Sequence, residues 1–561
     1  MTTFVLMVNV NEGPNVEKVY GASIIFYEEF PEENLDQEQS KLLNYTKAGA
    51  DETKSDIKTS CQHNVTSTPP SITNNRTMAK KLYSNKSIVI LSRYPFFDTF
   101  KQFLIFLYKK YTKSIFLTYQ ENAPIVPIEV YLRHVIFNLP FPTIKRPCVL
   151  INLSEFESES IYAYLPDDNI LPQSGGSFRR LLEFLGPDNT INVVVILLLQ
   201  RNIVFHSLNR TVLTEIVEAV TSLIFPFIWS YSYIPMCPFS LVDLIDAPGS
   251  FILGLDSRYF DLFEPPSNVV CVDLDTSNIH LSDDSIRIQQ KILPPKPLNV
   301  LRNRLRQIMQ DIEKLYIRIS QNKALLNYES KIKYKRVEQE LDLQIRDAFL
   351  RFMACILHGY KAHLKTVTRR PDTKAKDRNI SIYFDSESFV MSKQHANQYF
   401  YRELTKTQLF YDFIMRISFT SELSTSLAQS ISLFDQFCSE IDPNKEDYSR
   451  LLSINRNTGD QTIVVMPPEC GDSKSDSANY ESAFDYGNKQ GNFPRLKSEL
   501  VVKTMKRTAS NSDSLSVSSL QIQPSTNGKK SVNMQNTPIG VRTQAEKLNA
   551  RKNLESKMSD K

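Results

Sequence analysis

The chain has 561 residues, with 66 Lys and Arg against 62 Asp and Glu, a formal net charge of +4. So small an imbalance predicts no partner: a polyanion binder usually carries a larger basic excess, unless it is gathered in a local patch. A hydrophobic content of 41% requires a real core, and 561 residues exceed one core, so two or three domains are expected.

Residues 1–30 predict two strands, FVLMVNV and GASIIFYEEF, around a polar turn at Asn11 to Pro14. Residues 31–85 are polar and poor in large apolar groups. Such a stretch cannot offset its ordering entropy, so a disordered insertion is expected there. SIVIL (87–91) reads as a strand. A helix from Phe96 to Tyr111 follows, its Phe97, Phe100, Leu104 and Leu107 at helical spacing.

A second apolar block runs from about Pro127 to Asp275. Its predicted strands are CVLINL (148–153), VVVILLL (193–199), NIVFHS (202–207), FILGL (251–255) and VVCVDL (269–274). Between them a helix is expected after Ser177, stopped by Gly186-Pro187. A second, Val212 to Ile224, has Thr211 as its N-cap and Glu215 in the first turn. Strand and helix alternate, so this block reads as a layered α/β domain. From Pro295 the pattern becomes helical: Leu298 to Ser320, then Lys331 to Leu364 with Leu341, Ile345, Phe349, Phe352 and Ile356 on one face, then two or more helices over 397–440. Residues 366–379 read as a basic loop. After Leu452 the polar composition predicts a disordered tail.

The seven cysteines include no CxxC pair, so reduced, buried or incidental thiols are expected. The N-terminus lacks the basic start of a signal peptide. The longest apolar run, Val193 to Leu199, is far short of the ~20 residues of a membrane span. These features point to a cytoplasmic protein, at most peripheral to a membrane. GxSxG, HExxH, Walker A, GxGxxG and the kinase motifs are all missing from the sequence. Gly175-Gly176 reads as a helix-entry turn. His206-Ser207 ahead of Asp243 and Asp246 has no strand-to-helix elbow to present a nucleophile. No cofactor or metal is expected.

The most informative stretch is 206–261. It gathers Trp229, the single tryptophan, with Phe225, Phe227, Tyr231, Tyr233 and Pro226, Pro235, Pro238 and Pro248 around a helix exit. Two readings stand at this point: a rigid hinge stapling a helix to a sheet, or a pre-organised aromatic binding ledge.

This stretch resembles the centre of DENN domains, in Pro226-Phe227, Trp229, Tyr233-Ile234-Pro235, Pro238, Ala247-Pro248, Phe251-Ile252, Gly254 and DSRYFD (256–261). YGASIIFYE (20–28), SRYPFFDTF (92–100), PIEVYLRHVIFNLPFP (127–142) and LLEFLGPDN (181–189) extend the resemblance upstream. AFLRFMACILHGYKAHL (348–364), FYRELTKTQLFYDFI (400–414) and FDQF (434–437) extend it downstream. PPSNVVCVDLDTSNI and AFLRFM are most similar to the subfamily of Crag and the c-myc promoter-binding protein.

The resemblance implies an upstream longin-like lobe (1–115, with insertion 31–85) and a central α/β domain (127–281). A helical linker (282–344), an all-α downstream domain (345–440) and a disordered tail (453–561) follow. It implies a guanine-nucleotide exchange factor that holds a Rab small GTPase, GDP-bound or nucleotide-free, between its lobes. GDP is released for GTP loading in membrane trafficking, without covalent chemistry. The implied GTPase-facing residues are Phe96, Phe97, Asp98, Ser207, Asn209, Arg210, Tyr233, Asp246, Asp256 and Arg258. The charged ones are expected to be exposed, so that reversal spares the fold.

Relatives of this subfamily carry further regions on both sides, so the chain reads as a short isoform, a fragment or an incomplete gene product. Asn209-Arg210 and Gly249-Ser250 depart from the family's usual residues. The alternatives are a Rab-binding scaffold without exchange activity, or a nucleic-acid binder resting only on basic runs such as Lys331, Lys333, Lys335 and Arg336. In the tail, Lys506-Arg507 ahead of Ser510 makes that serine a candidate phosphorylation site. Residues 1–440 are expected to suffice for activity.

Overall fold

The computed structural model describes residues 1–9, 16–29, 82–112, 128–142, 148–153, 161–164, 171–172, 174–266, 268–281, 292–321, 328–365, 380–419, 425–445, 448–452, 463–466, 484–485 and 495–496. The fold is mixed α/β. β1 (Thr2–Asn9), β2 (Val16–Glu29) and β3 (Tyr83–Ser92) form one antiparallel sheet in that order. Side chains alternate between the faces, so Tyr20, Ala22 and Phe26 are buried while Ile25 and Tyr27 are exposed. β3 starts at Tyr83, so Tyr83 to Asn85 of the expected insertion belong to the sheet. Residues 31–81 lie outside the described residues.

α1 (Phe97–Thr112) packs on β2 and buries Phe97, Leu104 and Leu107, as their spacing predicts. α2 (Ile128–Arg133), β4 (Cys148–Ile151) and β5 (Ile161–Tyr164) complete a small separate core. There Phe103, Phe106 and Leu107 meet Val149, Ile151 and Ile161.

The run VVVILLL is not a strand. It is the second half of α3 (Phe178–Leu198), capped at its start by Ser177. Gly186-Pro187 stops its first half, as expected, and a second half begins directly after the kink. Gly186 adopts φ 70°, open to glycine, and Pro187 re-enters helix at a first-turn position, where its missing N–H costs nothing. By length and composition α3 is the one helix among the described residues apolar enough to cross a membrane. Its apolar half is instead packed in the core.

β6 (Ile203–Ser207), α4 (Arg210–Ser222), β7 (Ser232–Ile234), β8 (Phe251–Asp256), β9 (Val270–Asp273) and β10 (Asn278–Leu281) complete the central domain. Its sheet has the order β10-β9-β6-β8-β7, parallel except at β10. Both faces are covered. Ile203, Phe205 and Ile252 join the core beneath α3 and α4, while Val204, Leu253 and Leu255 meet short 3-10 turns on the other side. The N-cap of α4 is Asn209, not Thr211: its side chain accepts from Thr211 N at 3.2 Å and Thr211 Oγ1 at 2.6 Å.

α5 (Pro295–Gln321) buries Leu301, Leu305, Ile308, Ile312 and Leu315 along one stripe, against α6 (Tyr328–Leu357). The expected boundary between residues 344 and 345 falls inside α6, which is continuous. α6 ends before the predicted Leu364, because Gly359 takes a left-handed φ of 78° and turns the chain. α7 (Ser386–Met391), α8 (Gln398–Lys406), α9 (Gln408–Ser418) and α10 (Thr425–Glu440) finish this helical part. The tail expected to be disordered contributes β11 (Ile463–Val465), parallel to β4, because Ile463 and Val465 find an apolar surface there. Cys148, Cys237, Cys271, Cys355 and Cys438 are free thiols; Cys61 and Cys470 lie outside the described residues.

Lys393 donates to the His358 carbonyl at 2.7 Å and lies over the Phe389 and Tyr401 rings. Burial lowers its ammonium pKa to about 8. The unfolded chain therefore binds more protons than the folded one above that pH, so this lysine adds stability as pH rises from 8 towards 10. The urea midpoint of wild type is expected to gain over that of Lys393→Met across this window. Parallel curves for the two proteins would exclude a titrating Lys393.

Candidate functional site

The aromatic stretch after α4 resolves in favour of the hinge. Phe225, Phe227, Trp229 and Tyr233 are all buried, and Phe225 and Phe227 pack edge-on against Phe434 and Phe413 of the helical part. Trp229 donates Nε1–H to the Ser232 carbonyl at 3.3 Å. A Cβ on Gly254 would collide with the Pro235 carbonyl, so this glycine lets the proline turn lie directly on β8. Phe225, Phe227, Trp229 and Tyr233 thus face inward and join α4 to the helical part.

Two polar constellations lie along that framework. The first is at the carboxyl ends of the parallel strands, where α/β sheets place their binding crevices. Asp275 accepts from Ser207 Oγ at 2.6 Å, Leu208 N at 2.7 Å and Ser257 Oγ at 3.3 Å. Asp256 is clamped by Arg258 through two bonds of 2.9 and 2.7 Å, and Arg210 approaches it to 3.4 Å. Burial pushes the Asp256 carboxyl up, but the Arg258 bonds and the two guanidinium charges carry it below the usual carboxylate range. His206 packs edge-on against Phe260 and meets Ser257 Oγ at 3.0 Å. Burial lowers its pKa, outweighing Asp273 and Asp275. His206 and its neighbour Ser207 project to opposite faces of β6 and engage different partners, so they form no nucleophilic pair.

The second constellation is the junction between the N-terminal sheet and α4. Thr214 Oγ1 donates to the Thr3 carbonyl at 2.6 Å. Glu218, 2% exposed in its side chain, takes Lys18 at 2.9 Å and the Tyr233 hydroxyl, while Lys18 also lies 4.6 Å from the Tyr233 ring centre. Glu215 takes Lys101 and, at 2.7 Å, Arg180. Phe97 packs edge-on against Tyr20 at 5.9 Å. Beside them Asp98 pairs with Lys335 of α6 at 3.0 Å, so α1 also touches the helical part.

The expected site residues therefore separate. Asn209, Arg210, Asp256 and Arg258 share one cluster, with Ser207 beneath it. Phe97 and Tyr233 are core residues of the junction, and Ser207 and Asp256 are buried, so none of these four is an open contact surface. Asp256 was expected to be exposed; the two arginines that neutralise it also cover it. Asp98, Asn209, Arg210 and Asp246 are exposed, and Phe96 and Arg258 are half-buried. Phe96 belongs to a surface aromatic group with Tyr94 and Phe141, whose rings lie 4.4 Å apart. The sequence reading missed Lys18, Lys101, Arg180 and Glu218 and took Glu215 for an ordinary first-turn charge. Thr214, Glu215 and Glu218 sit at spacings of one, three and four in a stretch, Val212 to Val220, that is otherwise apolar, the pattern of a polar stripe that must be met by another layer. Ser510 and residues 366–379 lie outside the described residues.

Residues 83–277 match the DENN (AEX-3) domain family. The chain carries a DENN domain. The domain match begins at the first residue of β3 and closes beside β10, so it takes in α1, the hinge and the strand-end cluster. The DENN domain and WD repeat-containing protein SCD1 of Arabidopsis thaliana is 28% identical over 353 residues. That alignment covers 62% of this chain and 27% of the plant protein, so the DENN-domain chain spans about a quarter of that relative. Among the described residues, no group of three or more His, Cys, Asp or Glu is placed to hold a metal ion.

Proposed function

We propose that this chain binds a Rab-type small GTPase across the junction of its N-terminal sheet and DENN domain and speeds the release of GDP. The DENN match carries the reading, because DENN domains are generally associated with exchange on Rab GTPases and the match contains the strand-end cluster and the α1 and α4 side of the junction. In this reading β1–β3 with α1 are the longin-like lobe, α6–α10 the all-α downstream lobe, and the subfamily that of Crag.

The exchange needs no covalent step. A partner that binds the open, nucleotide-free GTPase more tightly than the GDP-bound form lowers the barrier to GDP loss. The lobes supply a preset concave frame, and the charged junction fixes their spacing. The exposed rim of Asp98, Asn209, Arg210 and Asp246 supplies contacts to the GTPase switch loops. The protein then works in the cytoplasm, at the membrane where its GTPase resides.

Purified Rab proteins loaded with fluorescent GDP test the activity: at least one is expected to lose nucleotide faster with this chain. Binding without acceleration would make it a scaffold, and neither result for any Rab would end the proposal. On the responsive GTPase, Asp246→Lys is expected to lower exchange about 30-fold, the equivalent of ~2 kcal/mol for a lost charged contact. It should stay folded, as its melting curve will show. If it stays folded and exchanges normally, the rim is the wrong surface.

A further inference from the structure

The segment after α10 returns across the molecule and is fastened twice. The first fastening is on α5 and α6. Asp347, fully buried, accepts from the Tyr448 hydroxyl, from Leu451 N at 3.0 Å and from Leu452 N at 2.7 Å. Arg351 donates to Ser449 Oγ at 2.6 Å, and the Arg304 and Arg351 guanidinium groups flank the Tyr448 ring at 4.9 and 5.8 Å. Arg450 pairs with Glu340 at 2.8 Å, and Leu452 is 3% exposed. This is a built anchor, with every polar group of the buried carboxylate engaged.

The second fastening is of a different kind. Ile463, Val464 and Val465 run parallel to Val149, Leu150 and Ile151, and Asn152 N donates to the Val465 carbonyl at 3.0 Å. Ile463 and Val465 pack onto the small core with Leu132, Val135 and Leu139, while Val464 is 52% exposed. Three rungs on an edge strand hold weakly by themselves. Their strength comes from tethering: a short linker to a fixed anchor raises the local strand concentration to about the millimolar range.

We propose that the outer edge of β4 is a docking site for an extended, β-branched segment lying parallel to it, and that residues 463–465 of the same chain plug it. The edge reads its occupant by apolar side chains at alternate positions, with backbone bonds supplying the rest. The anchor at Asp347 makes the plug intramolecular, and the plug closes an edge that would otherwise pair with other strands. It does not depend on the GTPase reading.

Hydrogen exchange on the full chain tests it directly. The double variant Ile463→Asp with Val465→Asp should lower protection of the Asn152 amide, which donates to the Val465 carbonyl, at least tenfold, while the Leu451 and Leu452 amides stay as in wild type. A labelled peptide of residues 460–467 should bind this variant at least tenfold more tightly than wild type, measured by fluorescence anisotropy. Asp347→Asn, which keeps an acceptor but weakens the anchor, should give an intermediate loss at Asn152. Unchanged protection in the double variant, or equal peptide binding by both proteins, overturns the proposal. Protection of Asn152 that rises with protein concentration would assign the strand to a second copy and overturn it equally.

Discussion

Asp256→Lys is expected to destabilise the fold by about 3–5 kcal/mol, the usual consequence of breaking a buried ion pair. The carboxylate it removes is 4% exposed and holds Arg258 by two bonds, with Arg210 at 3.4 Å. An ammonium there would be a third cation in a closed space. Arg258 and Arg210 can turn to solvent, being 40% and 48% exposed, but the new lysine at the end of β8 cannot. Asp246→Lys, on an exposed turn, should cost much less, because its carboxylate is open to water. Urea unfolding of the two variants side by side decides the matter. Equal midpoints would mean that the Asp256 clamp contributes nothing.

Lys18→Met is expected to be the more damaging half of the junction's central pair, at about 3 kcal/mol. It leaves Glu218, 2% exposed, with no cation and only the Tyr233 hydroxyl as partner. Glu218→Gln should cost nearer 1 kcal/mol, because Gln still accepts from Tyr233 and Lys18, 35% exposed, regains water. The asymmetry separates two accounts of the junction. If Glu218→Gln costs as much as Lys18→Met, shape rather than charge holds the N-terminal sheet to α4.

The expected elements were legible where period and length agreed. The stripe Leu341, Ile345, Phe349, Phe352 and Ile356 could only be helix, and all five are buried. Val193 to Leu199 misled because a helix buried all round loses its period, and β-branched residues then imitate a covered strand. β7, β5, β10 and β11 have three or four residues each, too few to show alternation. For the site, a charge in sequence carries no sign of its own burial. Asp256 and Asp246 look alike in the chain, yet one is enclosed by arginines that lie two residues and forty-six residues away. The aromatic hinge was recognisable as a feature, but its direction depended on Phe413 and Phe434, about two hundred residues further on.

The bond from Thr214 to the Thr3 carbonyl spans 211 residues of sequence. On a ribosome adding ~5–20 residues per second, roughly 10–40 s separate the appearance of β1 from that of the helix it rests on. Until β3 and α1 emerge, the β1–β2 ribbon leaves Tyr20 and Phe26 uncovered, and a two-stranded ribbon alone is at best marginal; its bond to α4 waits for the whole interval. These two strands are thus made well before the helix that secures them. Their need for a chaperone lasts until the later elements arrive, and slow translation of the intervening stretch would lengthen it.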